Sequence, residues 1–247
     1  MHCRRFYAPP DAVHDGVITL NDEESHHLAR VVRLKVGQVV EVFDGTGFEF
    51  LCRVESLMPQ VRARILEPLP RRGESPIRTF LVQALTKSDK FDLIVQKGTE
   101  LGVCEIWPTL SERAEIHLTD AKAAARVARW QKIAGEAAKQ SRRSIIPAVH
   151  PIMPMERVLP MMPADPHVSK LCLSERGGQP LKQLLPPALP SKIVVIVGPE
   201  GGWSDQDLTI LTGHGFNLVT LGPRILRTET AALVILSILQ YQFGDLG

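Results

Sequence analysis

Two short apolar runs near the C-terminus, each ending in a glycine-marked loop, constrain the fold of this chain more than any other feature. Ile193 to Val197 is an unbroken β-branched run, and Gly198-Pro199-Glu200-Gly201-Gly202-Trp203-Ser204 follows it directly. Phe216 to Leu221 is similar, and it leads into Gly222-Pro223-Arg224-Ile225-Leu226-Arg227-Thr228-Glu229-Thr230-Ala231. Continuous apolar runs of this length, without alternation and bounded by turn residues, describe strands buried on both faces in a parallel sheet. One helix fits between them, and Ser204 with Asp207 resembles a capping box at its start. Ligands of open α/β sheets sit beyond the carboxyl ends of the strands, so the two loops read as halves of one binding site.

The loop chemistry narrows the ligand. Gly198, Gly201, Gly202 and Gly222 permit close approach of the backbone, which suggests recognition by main-chain N–H and C=O groups. The spacing is neither G-x-G-x-x-G nor a P-loop, and no lysine follows the glycines. Glu200 inside the turn repels phosphate, so a ligand with an amine, a ribose or an adenine fits better than a nucleoside triphosphate. Taken alone, Gly-Pro-Glu-Gly-Gly is equally a structural turn.

The rest of the chain divides in two. Val39 to Phe43, Phe48 to Val54 and Val61 to Leu66 are short β-rich runs separated by turn signals such as Asp44-Gly45, with one helix expected over Ser25 to Val32. An irregular linker is expected around residues 67–77. Beyond it, strand Thr79 to Ala84, helix Lys90 to Leu101 stopped by Gly102, and strand Val103 to Trp107 form a βαβ unit. A further strand is expected over Val168 to Leu173. Pro147 to Pro166 reads as a long connection crossing the sheet, with Met153, Met155, Met161 and Met162 filling gaps. The last helix, Glu229 to Gln242, is apolar almost all round and requires cover on every side, from its own chain or at a subunit interface.

At 247 residues, 44% hydrophobic and 23% charged, the chain can bury more than one core. No apolar run reaches the roughly 18 to 20 residues of a membrane span, and the N-terminus lacks a signal-peptide stretch, so a cytoplasmic protein without a membrane partner is expected. Cys3, Cys52, Cys104 and Cys172 are too scattered for a zinc site or a disulfide framework, and no metal is expected. His26-His27 has no ligand cluster beside it, and one ring packed with one exposed is the plainer reading. Net charge is only +2, but residues 113–143 hold eight basic side chains against three acidic ones. Lys122, Arg126 and Arg129 recur at helical spacing opposite Ala123, Val127, Trp130 and Ala134. That pattern suits a solvated helix or one that tracks phosphates.

Both C-terminal loops, together with Gln96-Lys97-Gly98-Thr99-Glu100-Leu101-Gly102-Val103, Ser25-His26-His27-Leu28-Ala29-Arg30-Val31-Val32-Arg33 and Phe43-Asp44-Gly45, resemble the 16S ribosomal RNA uracil-N3 methyltransferases. These are SPOUT-class enzymes dependent on S-adenosylmethionine. The resemblance runs nearly end to end, with Trp203 in place of an expected Phe and Asp207 in place of Glu. It implies an α/β fold: a PUA-like RNA-binding β-barrel over residues 1–72, then a knotted, mostly parallel methyltransferase domain over residues 73–247.

The same resemblance implies a cofactor bent into a trefoil knot made by the loop after Val168 to Leu173, the loop at Gly198 and the loop from Leu221 to Leu226. Adenine is expected against the backbone of Leu221, Ile225 and Leu226. Leu173, Val197, Gly198, Gly201 and Gly222 line the rest. Arg227 or Arg224 is expected to orient the uridine, with Glu200 or Glu229 as proton acceptor, although Glu229 also suits a helix N-terminus. Arg4, Arg5, His26, Arg30, Arg33, Arg113 and Arg142 are the expected RNA contacts. The expected partners are 16S rRNA within the small ribosomal subunit and a second copy of the chain in a homodimer. A nonenzymatic RNA-binding protein, or a methyltransferase for another RNA position, remains the alternative.

Overall fold

A computed structural model of the chain describes residues 3–86, 88–112, 118–185 and 188–247. It divides into two units: residues 1–74 with 138–146, and residues 75–137 with 147–247. Residues 138–146, the end of a long helix and the turn after it, therefore pack with the first unit.

The first unit is a six-stranded curled sheet. Its strands are β1 (Arg5–Tyr7), β2 (Val13–His14), β3 (Val17–Thr19), β4 (Val39–Phe43), β5 (Glu49–Ser56) and β6 (Arg62–Leu69), in the spatial order β1-β4-β5-β6-β3-β2. Only the β1–β4 pair is parallel. Phe6, Ile18, Leu20, Leu28, Val40, Val42, Cys52 and Val61 close its core. Three of the strands match the β-rich runs of the sequence. The expected linker begins later than residue 67, because β6 continues through Pro68 and Leu69 opposite Phe50 and Glu49. Proline is tolerated there because β3 pairs only with residues 62–64, leaving that side of β6 without a ladder to feed.

The expected helix over Ser25 to Val32 starts earlier. Asn21 caps α1 (Asp22–His26) by accepting from the Glu24 N–H at 2.9 Å, and a π-helical turn continues over His27–Val31. His27 packs against Phe6, and His26 is exposed.

The second unit is an eight-stranded, wholly parallel sheet. It contains β7 (Arg78–Ala84), β8 (Glu105–Leu110), β9 (Ala148–Val149), β10 (Met153–Pro154), β11 (Val168–Leu173), β12 (Gln179–Pro180), β13 (Lys192–Val197) and β14 (Asn217–Thr220). The order is β10-β8-β7-β13-β11-β14-β12, with β9 also on β8. β7 and β13 are buried along almost their whole length, as continuous apolar strands must be when helices cover both faces. The helices are α2 (Ser88–Glu100), α3 (Asp120–Ser141), α4 (Met155–Val158), α5 (Leu181–Leu184), α6 (Asp205–Gly213) and α7 (Thr228–Phe243).

Gly102, at φ +80°, ends the α2 segment in the left-handed conformation expected of a stop. Beside it the buried Gln240 of α7 donates to Leu101 O at 2.8 Å and accepts from Ser75 at 2.7 Å.

Two expectations change in this unit. Pro147 to Pro166 does not cross the sheet as a bare connection. Its β9 and β10 pair with the outer edge of β8 and satisfy peptide groups that would otherwise be left open. Met155 and Met162 fill the core as expected, whereas Met161 is 59% exposed and fills nothing. Helix α7 is not covered all round by its own chain either, which leaves only the subunit interface to complete its cover. Ala232, Ile235, Leu236 and Leu239 are buried, but Val234 and Ile238 are half-covered and Tyr241 is 69% exposed. No helix among the described residues is long and apolar enough to cross a membrane.

Candidate functional site

The carboxyl ends of β11, β13 and β14 lie side by side in the sheet, and the loops leaving them enclose a cavity of about 420 Å³. Its floor is strand-end and indole surface from Leu173, Val197, Trp203 and Val219. Ser174, Glu175 and Arg176 stand on one side, Gly198, Pro199, Glu200 and Gly202 on another, and residues Thr220 to Thr228 on a third. This size falls within the range of small-molecule sites, roughly 300 to 1,000 Å³.

The loop after β13 is held from below. Trp203 is buried under it, and its Nε1 donates to Leu173 O at 2.9 Å, joining this loop to the end of β11. A Cβ on Gly198 would stand 3.0 Å from Trp203 Cε2, so any side chain there would press on the indole beneath the loop. Gly198 O accepts from Thr228 Oγ1 at 2.6 Å, and Thr228 accepts in turn from Gln83 Nε2 at 3.1 Å. Gln83 is fully buried and also donates to Ala84 O and Val197 O. This chain of bonds ties β7, β13 and the first residue of α7 together beneath the cavity.

Helix α6 starts as its sequence predicts. Ser204 Oγ accepts from the Asp207 N–H at 3.0 Å, and Asp207 Oδ2 accepts from the Ser204 N–H at 3.1 Å, a reciprocal capping box. Arg176 Nη2 reaches across to Trp203 O at 2.7 Å, so the loop after β11 also grips the loop after β13. Gly202 adopts φ +68°, and a Cβ there would come 3.2 Å from Glu175 Oε1.

Most of the expected cofactor residues meet here. Leu173, Val197, Gly198, Leu221, Gly222, Ile225 and Leu226 all line the cavity; Gly201 does not, and the inward-facing glycine is Gly202. Ile225 is 80% exposed, an unusual placement for a large apolar side chain inside a binding loop. Arg224, Arg227 and Glu200 line the cavity as well, and both arginines are exposed. Sequence reasoning missed Lys90, Glu175, Arg176 and Thr228. Position alone could have flagged Glu175 and Arg176, since they follow a predicted strand, and a lone Gln83 in the run Phe80 to Ala84 marked a polar contact in the core. Lys90 carries no local signal.

The residue types suit S-adenosylmethionine. Glu175 and Glu200 line the cavity, where a carboxylate opposes a sulfonium or an amine, the apolar floor suits an adenine ring, and the loop Leu221 to Ile225 brings backbone groups to the cavity wall for its nitrogens.

In the first unit, a second cavity of about 560 Å³ is lined by Cys3, Arg4, Arg5, Phe6, His27, Val32, Lys139, Gln140 and Arg142. Arg4, Arg30, Arg33, Arg142 and His26 are exposed, as RNA contacts must be. Arg5 is corrected. Its side chain is 7% exposed, ion-paired with Glu49 at 3.1 Å, donating to Ala138 O and Arg143 O and stacked on Phe43. That guanidinium is spent on internal acceptors, and burial pulls its pKa down more than the flanking carboxylates raise it. Arg143, part of the basic cluster, is likewise buried against Glu74, and Arg129 pairs with Asp92. Arg113 lies outside the described residues. Arg33 and Arg142 adopt φ +59° and +63°, a left-handed conformation seldom occupied by such side chains.

Comparison with known proteins agrees with this geometry. A family model described as an RNA methyltransferase domain matches residues 73–240, and one described as an RNA methyltransferase PUA domain matches residues 20–65. Fold and cavity thus define the class as an RNA methyltransferase carrying a PUA domain. The chain is 35% identical to ribosomal RNA small subunit methyltransferase E of Bacillus subtilis, over 91% of this chain and 90% of that protein. To the same-named protein of Synechocystis it is 32% identical, over 94% and 76%. A crystal structure of a ribosomal RNA small subunit methyltransferase E from Neisseria gonorrhoeae, bound to S-adenosyl methionine, superposes with a TM-score of 0.89 at 36% identity over 100% of both chains. A Legionella pneumophila putative methyltransferase with bound SAM gives 0.88 at 32% over 100% of both. The chain belongs to the ribosomal RNA small subunit methyltransferase E family.

Proposed function

We propose that this protein transfers a methyl group from S-adenosylmethionine to N3 of one uridine in the 16S rRNA of the small ribosomal subunit. The observation that carries the reading is the three-loop cavity, placed at the sheet's carboxyl edge in a chain similar over its whole length to a structure bound to that cofactor. When bound, the cofactor supplies an electrophilic methyl on a sulfonium, and the protein's part is alignment, charge stabilisation and proton acceptance.

Leu173, Gly198, Leu221, Gly222, Ile225 and Leu226 hold the cofactor, with Glu175 and Glu200 facing its positive charge. Uracil N3 is a poor nucleophile until its proton leaves and the negative charge on its flanking oxygens is held. Arg224 and Arg227, exposed at the cavity, offer guanidinium donors for those oxygens. Glu200 is the carboxylate of the cavity that takes the proton. Residues 1–72 act as the RNA-binding barrel and 73–247 as the methyltransferase domain, with Arg4, Arg30, Arg33 and Arg142 on phosphates. The half-covered Val234 and Ile238 and the exposed Tyr241 on α7 support a homodimer through that helix.

Labelled methyl transfer to small subunits lacking the modification, followed by nucleoside analysis, tests the reading. The expected product is 3-methyluridine at one site. A different methylated nucleoside overturns the target, and no transfer overturns the enzyme. Arg224→Ala and Arg227→Ala are expected to lose turnover at saturating RNA while still binding cofactor, and full turnover in both removes their proposed role.

A further inference from the structure

Lys90 stands in the first turn of α2, where the helix dipole disfavours a cation. Its ammonium is 3.2 Å from Glu200 Oε1, on the loop after β13, and 3.7 Å from Glu229 Oε2, in the first turn of α7. Three segments far apart in sequence thus meet on one charge. Lys90 and Glu200 line the cavity and Glu229 does not, so Glu229 holds the lysine from behind. Glu229 is 14% exposed, and among the described residues its buried Oε2 has no hydrogen bond and the Lys90 ammonium as its charge partner.

An ordinary surface ion pair has two mobile, solvated ends. Here the lysine is 25% exposed, and its second carboxylate sits where α7's own dipole favours a negative charge. Glu229 is thereby fixed, Lys90 is fixed by Glu229, and Glu200 is steered by Lys90.

We infer that Lys90 is a positioning residue for methyl transfer, anchored by Glu229 and holding the Glu200 carboxylate in place at the cavity mouth as the proton acceptor. The inference rests on the function proposed above. In the step it serves, the N3 proton passes to a Glu200 oxygen, the N3 electron pair bonds the methyl carbon, and the carbon–sulfur pair returns to sulfur. A carboxylate becomes a carboxylic acid, a sulfonium becomes a thioether, and Lys90 touches none of the reacting atoms. Among the described residues, the other charged side chains lining the cavity with Glu200 are Glu175 and Arg176 from the loop after β11, and Arg224 and Arg227 from the loop after β14.

The test compares the parent chain with Lys90→Met, Lys90→Arg and Glu229→Gln. Carboxyl-carbon NMR titration of the cofactor-free proteins, with the Glu200 signal assigned by its absence in Glu200→Gln, follows the carboxylate directly. Calorimetry with S-adenosylmethionine and single-turnover methylation of small subunits across pH follow the rest. In Lys90→Met, Glu200 is expected to titrate at higher pH, and the acidic limb of the rate profile to move up with it. Cofactor affinity should stay within about threefold, while the rate on the pH-independent plateau falls by more than about tenfold because the carboxylate is no longer held in place. Lys90→Arg should restore most of the rate, and Glu229→Gln should show a smaller shift of the same sign. An unmoved Glu200 titration and rate profile in Lys90→Met, with the parent active, overturns the inference alone. A parent that binds cofactor but yields no methylated uridine overturns the proposed function, and the inference with it.

Discussion

Trp203 lies directly beneath Gly198, so close that a methyl group on that glycine would stand 3.0 Å from the indole, whose Nε1 is meanwhile bound to Leu173 O. One aromatic ring thus sets the height of the loop after β13 and couples it to the loop after β11.

Gly198→Ala is expected to push the loop off the indole. Overpacking of this kind costs about 1 to 3 kcal/mol, and a loop raised by a few tenths of an ångström should weaken S-adenosylmethionine binding at least about tenfold. Thermal unfolding and calorimetry on the same preparation check both. Unchanged affinity would show that the loop re-forms elsewhere.

Thr228→Val keeps the volume and removes the hydroxyl between Gly198 O and Gln83 Nε2. Two buried polar groups lose a partner, at about 1 to 3 kcal/mol. A fall in Tm of roughly 2 to 4 °C per kcal/mol is the expected readout for a chain of this length. Gln83→Leu in the same background should recover part of the loss if the chain of bonds acts as one unit.

Arg5 and Arg142 should respond in opposite ways. Arg5→Met leaves Glu49 buried with Arg72, 3.2 Å away, as its remaining cation, which places the stability loss near the lower end of the about 3 to 5 kcal/mol typical of a broken buried pair. Arg142→Gly puts the residue that favours positive φ where φ is +63°, so stability should fall far less than in Arg5→Met. Its RNA affinity should fall, with the salt slope of log K smaller by about 0.7 to 0.9. Denaturant titration and salt-dependent binding separate the two.

Burial pushes the Cys52 thiol up to about 12, and Cys172 is raised further by burial and by the nearby Asp207 carboxylate. Iodoacetamide at pH 8 should therefore modify the half-buried Cys3 and Cys104 first and spare the other two in the native chain. A group whose folded pKa lies above its unfolded value contributes stability in full below the unfolded value, near 9, and loses it as pH rises toward 12. Cys52→Ala should accordingly flatten the alkaline decline in Tm between those limits.

Much of the second unit was legible because its signals are local. Ile193 to Val197 can only be a covered strand, Ser204 and Asp207 satisfy each other within one turn, and Gly102 stops a helix from its own φ. The position of the loops at strand ends therefore located the cavity, and the family resemblance supplied its ligand. The first unit was less legible: β1, β2 and β3 are two or three residues long, too short for any periodicity to show.

Sequence by itself determined the parallel strands, the capped helix, the glycine loops and the kind of site they make, since each depends on contacts within a few residues. Only the tertiary structure decided which charges are available for function. Arg5 and Arg4 are neighbours with the same chemistry, yet one is buried on Glu49 and the other exposed, because Arg5, the first residue of β1, has Glu49 and the carbonyls of Ala138 and Arg143 within reach. Lys90 reads as one more helix lysine until α2, the β13 loop and α7 meet around it. Long-range electrostatics has no signature in a linear pattern, because its partners are chosen by the fold.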